Sequence, residues 1–229
     1  MFLKIDNITF RYEGDEANLY NNLSFKLPEP GFHALFGPSG VGKTTLVRII
    51  AGELFGDSGK VAGPAGNGTL YTYNLERLPG WNTVGEQLSA AAPPESAGKL
   101  RELVDVFGIA PCMGARFGNL SLGQRNRVNL IRYLLQEFRL LMMDESLANV
   151  DEKTREKIIL TIKAMFPDRC FLYISHNVAE VAKFCRKVLV LRGAGKSPQV
   201  VDLAGMDFSG GVCQNDTLEK TMLEIMHAA

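Results

Sequence analysis

A lysine followed by two hydroxyl residues, set behind spaced glycines, has the makings of a phosphate site. The run Gly37-Pro38-Ser39-Gly40-Val41-Gly42-Lys43-Thr44 matches G-x-x-x-x-G-K-[ST] without a gap. Glycines let the backbone wrap an anion so that successive N–H groups point inward. A helix starting at Lys43 would aim the positive end of its dipole at the same charge. Lys43 offers a mobile cation to the β- and γ-phosphates of a nucleotide, and the Thr44 hydroxyl is a ligand for Mg²⁺. The expected nucleotide contacts are therefore Gly37, Pro38, Ser39, Gly40, Val41, Gly42, Lys43, Thr44 and the neighbouring Thr45.

Such a loop works only between a strand and a helix, and its flanks supply both. Phe32–Phe36 is a short apolar strand, and Lys43–Ala51 follows as a helix with Leu46, Val47, Ile49 and Ile50 on its apolar face. Upstream, Phe2–Ile5, Ile8–Tyr12 and Leu19–Leu27 read as strands parted by turn-formers at Asp6-Asn7 and Gly14. Residues 56–68 read as a loop or weak hairpin and Leu70–Tyr73 as a strand. From Glu86 to Gln136 the pattern is helical, broken by Ala92-Pro93-Pro94 and Gly114–Asn119. Strand-like runs return at Leu140–Met143, Cys170–Ser175 and Val188–Leu191, separated by helical stretches 151–165 and 177–185, with a last helix at 216–227. Strands alternating with helices predict an α/β fold with a largely parallel sheet. Between them, Ser121-x-x-Gln124 reads as a capping box that opens a helix with Val128, Ile131, Leu134 and Leu135 as its buried stripe.

Taken with the phosphate loop, Leu120-Ser121-Leu122-Gly123-Gln124 resembles the L-S-G-G-Q signature of ABC-type ATPases. Its continuation, Arg125-Asn126-Arg127-Val128-Asn129-Leu130-Ile131-Arg132, resembles the R-Q-R-V-x-L-A-R that follows in that family. The resemblance implies that Ser121 and Gly123 contact the γ-phosphate of ATP held by an opposite subunit, with Gln124 also among the nucleotide-binding residues. Leu122 stands where the family usually has glycine. Leu140–Asp144-Glu145 is similar to the family's apolar strand ending in two carboxylates, which implies that Asp144 holds Mg²⁺ and Glu145 orients the attacking water. Asp151 then corresponds to the interface aspartate, and His176 to the switch histidine at the γ-phosphate. Ser146 replaces the family's proline, and Ala148 its serine. Tyr12 matches the aromatic residue that stacks on adenine. The segment Asn74–Val84 resembles Q-x-x-R-L-L-P-W-L-T-V of nitrate, sulfonate and taurine importer ATPases, with Asn74 in place of the glutamine that reaches Mg²⁺ and the water.

The resemblance runs from Tyr12 to at least Leu191. It implies one ABC-type ATPase domain over residues 1–229: an α/β P-loop NTPase core with a mainly parallel sheet, an N-terminal antiparallel β-subdomain, and a trimmed α-helical subdomain inserted at about 85–136. The implied activity is ATP binding and hydrolysis with Mg²⁺, powering a transporter and more specifically an importer of a small oxyanion- or sulfonate-like solute. The implied partners are a second ABC subunit, an integral membrane permease and, indirectly, a solute-binding protein, at the cytoplasmic face of the inner membrane. The competing expectation is a regulatory or scaffold ATPase of the same fold.

Composition bounds these readings. Twenty-five Lys and Arg balance 25 Asp and Glu, so the formal net charge is zero, which argues against nucleic-acid binding driven by bulk charge. Hydrophobic residues at 46% and charged residues at 22% describe a folded globular chain. Cys112, Cys170, Cys185 and Cys213 form no C-x-x-C pair, so no zinc or thioredoxin-type spacing exists, and reduced thiols in a cytoplasmic compartment are expected. No apolar run approaches the ~18–20 residues of a membrane helix.

Overall fold

A computed structural model describes residues 1–64, 68–72, 78 and 80–229. Asn74, with the rest of 73–77, lies outside the described residues. In chain order the strands and α-helices are β1 (Leu3–Phe10), β2 (Tyr20–Leu27), β3 (Gly31–Phe36), α1 (Lys43–Ile50), β4 (Ser58–Ala62) and β5 (Thr69–Thr72). There follow α2 (Val84–Ala91), α3 (Ala97–Val106), α4 (Leu122–Leu134), β6 (Leu140–Asp144), α5 (Glu152–Met165), β7 (Cys170–Ile174), α6 (Val178–Phe184), β8 (Lys187–Leu191), β9 (Val200–Ala204) and α7 (Asn215–Ala228).

The strands form two sheets. The larger has the order β5-β6-β7-β3-β8-β9 and is parallel except for the edge pair β8–β9. The smaller is antiparallel, in the order β2-β1-β4. The mainly parallel sheet and the separate N-terminal antiparallel sheet are those expected from the sequence. Two local expectations need correction. Asp6-Asn7 does not divide two strands: β1 is continuous, with Asn7 at φ 53 in a bulge whose N–H donates to Ser24 Oγ at 2.8 Å. Pairing on both edges of β1 outweighs the local turn preference. The stretch 56–68 contributes the strand β4.

Alternation along the central strands sorts their side chains onto two faces. Phe32, Ala34, Leu141, Met143, Phe171, Tyr173, Val188 and Val190 share a core with residues of α2 to α6. Leu35, Leu140, Met142, Leu172, Ile174, Leu189 and Leu191 share another with Leu46, Val47, Ile49 and Ile50 of α1 and with β1 and β2. Strands buried on both faces read as near-continuous apolar runs, as Leu140–Met143 does. The packing fixes the carboxyl ends of β3, β6 and β7 side by side, and in parallel sheets those ends carry the site.

Candidate nucleotide-binding site

The chain leaves β3 into Gly37, which has φ 155; a side chain there would lie 2.4 Å from the Leu191 carbonyl oxygen. Gly42 caps α1 in the left-handed region at φ 106, and its carbonyl accepts the Tyr20 phenol at 2.5 Å. A β-carbon on Gly42 would meet that phenol oxygen at 2.7 Å. Both positions demand glycine. No side chain caps the N-terminus of α1, and its first turn carries no acid, so its first N–H groups are free of a competing side chain and can take an anion. Lys43 is buried and donates to the carbonyls of Gly37 and Pro38, at 2.8 Å each. Burial lowers its pKa, while the Asp144 and Glu145 carboxylates pull the other way.

Facing the loop, β6 ends in Asp144, whose Oδ2 accepts from Thr44 Oγ1 at 3.1 Å and from the Tyr71 phenol at 2.9 Å. Burial raises the Asp144 pKa, with Glu145 adding to the rise, against the two hydrogen bonds and Lys43. Glu145 takes φ 49, an uncommon angle for a residue with a side chain, and turns the chain off the strand. Its Oε1 lies 2.5 Å from His176 Nε2, the residue that follows β7 and Ser175. Ser39, Gly40, Gly42, Lys43, Thr44, Thr45, Asp144, Glu145 and His176 line one cleft of about 300 Å³. Tyr12 reaches Thr45 Oγ1 at 2.8 Å, and the residue is 40% exposed, leaving room for a planar base. Val41 packs back against Gly37 and does not line the cleft.

Ser121, Gly123, Gln124 and Asp151 are not among its walls. Ser121 and Gln124 form the expected capping box, with Gln124 N–H donating to Ser121 Oγ at 3.3 Å and Ser121 N–H to Gln124 Oε1 at 2.8 Å. The Gln124 amide also donates to Cys112 Sγ at 3.2 Å. A β-carbon on Gly123 would sit 2.6 Å from the Asn149 carbonyl, so α4 rests directly on the turn after Glu145. Asp151 caps α5 by accepting the Thr154 N–H at 3.0 Å.

Sequence reasoning missed three groups. Tyr71 touches Asp144 from β5, and Thr72 Oγ1 bonds Ser146 Oγ, both hydroxyls being buried. Buried Glu180 accepts from Tyr173 at 2.9 Å, Ser175 at 3.2 Å and Asn177 at 3.0 Å. It also pairs with Arg155, which donates in turn to the Val150 carbonyl. The only hint in sequence was Ser146, a hydroxyl where the family has proline. Among the described residues no three His, Cys, Asp or Glu side chains gather into a closed metal cage. Mg²⁺ needs none: it takes one or two protein oxygens together with phosphate and water, and adjacent Thr44 and Asp144 supply that donor set.

A strand, a glycine loop on a helix N-terminus and an acidic strand end across from it define a P-loop nucleotide-binding protein. The ABC transporter family profile matches residues 20–148, more than half of the chain, and the chain belongs to that family. It is 34% identical to the molybdenum import ATP-binding protein ModC 2 of Bradyrhizobium diazoefficiens, over 81% of this chain and 22% of that protein. It is 30% identical to the Fe(3+) ions import ATP-binding protein FbpC of Streptomyces avermitilis, over 87% of this chain and 62% of that one. The chain thus spans less than two thirds of these relatives' length. A solved structure described as the ATP binding subunit of an ABC transporter superposes with TM-score 0.80 at 18% identity, over 99% of this chain and 100% of that one. A bacterial Atm1-family ABC exporter with ATP bound gives 0.78 at 19% identity, over 99% and 41%. The fold is shared with both. ATP binding follows from family membership.

Proposed function

We propose that this chain is the ATP-binding and ATP-hydrolysing subunit that powers an ABC importer of a small solute. The observation that carries the reading is the shared cleft: Lys43 and its loop on one wall, Asp144, Glu145 and His176 on the other. Relatives named for import of molybdenum and Fe(3+) support the direction of transport. In this reading Gly37–Thr45 cradle the phosphates and Tyr12 stacks on the base. Thr44 and Asp144 would hold Mg²⁺, which would supply positive charge against the phosphates. Glu145 accepts a proton from the attacking water, and His176, hydrogen-bonded to it, fixes the orientation of that carboxylate. Ser121, Gly123, Gln124 and Asp151 would serve the cleft of a second copy in a head-to-tail pair. Two such copies would sit on a membrane permease fed by a solute-binding protein, peripheral to the inner membrane. No helix among the described residues is long and apolar enough to cross it.

Ligand-linked stability tests the core of this reading. At a hundredfold excess over Kd, Mg-ATP stabilises the native state by about 2.7 kcal/mol, a melting shift on the order of 5–10 °C for a chain of this size. Lys43→Ala is expected to lose most of that shift. An equal shift in the variant, read by calorimetry, would remove the phosphate-loop assignment.

A further inference from the structure

The end of β5 grips the end of β6 at two points, and neither contact was visible in the sequence. Tyr71 and Thr72 pair in register with Met142 and Met143 and, as consecutive strand residues, send their side chains to opposite faces of the sheet. Both nevertheless reach past their register partners. The Tyr71 phenol donates to Asp144 Oδ2 at 2.9 Å, and Thr72 Oγ1 bonds Ser146 Oγ. Tyr71 is 8% exposed, Thr72 2% and Ser146 4%, so water does not compete for these bonds. The two partners are the residues on either side of Glu145, whose positive φ places its carboxylate toward His176.

We propose that Tyr71 and Thr72 are positioning residues that bracket Glu145, Tyr71 by fixing the carboxylate of Asp144 and Thr72 by fixing the turn at Ser146. The proposal rests on the Mg-ATP reading of the cleft and deepens it. Thr44 Oγ1 and the Tyr71 phenol share Asp144 Oδ2. When the Thr44 oxygen turns a lone pair to a metal, its proton must stay on an acceptor, and the phenol keeps that acceptor in place. Thr72 acts on a different property. Ser146 stands where a proline ring would otherwise restrict the turn, and here the buried hydroxyl bond supplies the restraint. Loss of Tyr71's oxygen should therefore weaken metal binding, and loss of Thr72's hydroxyl should slow turnover with metal and nucleotide still bound.

Mn²⁺ is the probe, counted by its free-ion paramagnetic resonance signal in the presence of ADP, with fluorescent-nucleotide binding measured separately in EDTA. Tyr71→Phe is expected to raise the Mn²⁺ dissociation constant about tenfold and to leave metal-free nucleotide binding unchanged. Thr72→Val is expected to keep the wild-type Mn²⁺ constant and KM for ATP while kcat falls five- to tenfold, with Thr72→Ser restoring it. Wild-type Mn²⁺ affinity in Tyr71→Phe, or wild-type kcat in Thr72→Val, overturns the bracket. Should Tyr71→Phe fail to fold, the Thr72 pair decides alone. If wild type holds no Mn²⁺ with ADP, or Lys43→Ala holds it equally well, the nucleotide reading itself falls, and that outcome is distinct from a failed bracket.

Discussion

Lys43 and Asp144 are both buried, and burial works against the charge of each; mutual attraction and hydrogen bonds to neighbouring oxygens work for it. Lys43 was legible in sequence because its motif is contiguous. Tyr71 was not, because its partner lies 73 residues away and a tyrosine near a strand end carries no local signal. His33 belongs to no motif and was passed over, although it sits on the strand that delivers the phosphate loop. It is 2% exposed, and its Nδ1 has no hydrogen-bond partner among the described residues. Burial, with Lys187 and Arg186 acting in the same sense, lowers its pKa to about 4 against the Glu29 carbonyl and Asp207. The neutral ring is thus the folded form. Above an unfolded pKa near 6.5 both states are neutral and nothing is lost. As pH falls below that value the unfolded chain takes the proton first, so stability declines toward pH 4. Between pH 7.5 and 5 this amounts to about 2 kcal/mol. His33→Gln should flatten that part of the acid limb in urea titrations at the two pH values; an unchanged fall would show that other groups set it.

At the scale of elements, the buried strands were legible, as were the edge strands β2 and β5, whereas the edge strands β4 and β9 were not. Leu140–Asp144 and Cys170–Ile174 are apolar throughout because both faces are covered. The β4 sequence Ser58–Ala62 is exposed along its length and β9 (Val200–Ala204) is only partly buried, and neither carries a clean alternation. Contacts between elements were not legible at all, and they decide how the turn after Glu145 is held. Arg155 from α5 holds the Val150 carbonyl, Glu180 from α6 holds Arg155, and α4 closes the other side at Gly123. Gly123→Ala places a β-carbon against the Asn149 carbonyl, a backbone atom that cannot swing aside. In the proposed function α4 and this turn must then separate, which displaces Ser121 from its partner-facing position. ATP turnover is expected to fall at least tenfold, while the melting shift with Mg-ATP persists, since Gly123 is not a wall of the chain's own cleft. Retained turnover in a steady-state assay would mean that the contact is slack.

For the whole molecule, the proposed function makes the cleft half of a site. Its walls supply the phosphate loop, the hydrogen-bonded oxygens of Thr44 and Asp144 and a Glu145–His176 pair, but Ser121, Gly123, Gln124 and Asp151 stand elsewhere on the same chain. One arrangement uses every one of them: two copies head to tail, each closing the other's cleft. Zero net charge leaves no long-range repulsion between the copies. Leu122, 42% exposed beside Ser121, would be buried by the same contact. Such a pair should form only when the γ-phosphate bridges it and should part once hydrolysis removes that bridge. Glu145→Gln keeps the shape and the hydrogen bond to His176 but cannot take a proton from water, so ATP should bind and stay. Size-exclusion chromatography of this variant should therefore give a dimer with Mg-ATP and a monomer with Mg-ADP, and wild type should give the dimer only transiently. Addition of EDTA should dissolve the trapped pair, because in the proposed function Thr44 and Asp144 would hold Mg²⁺, and the metal would tie the bridging phosphates to the cleft. A monomer in both nucleotides at every protein concentration would reject the paired site, and it would leave Asp144 and Glu145 facing a cleft that one chain completes alone.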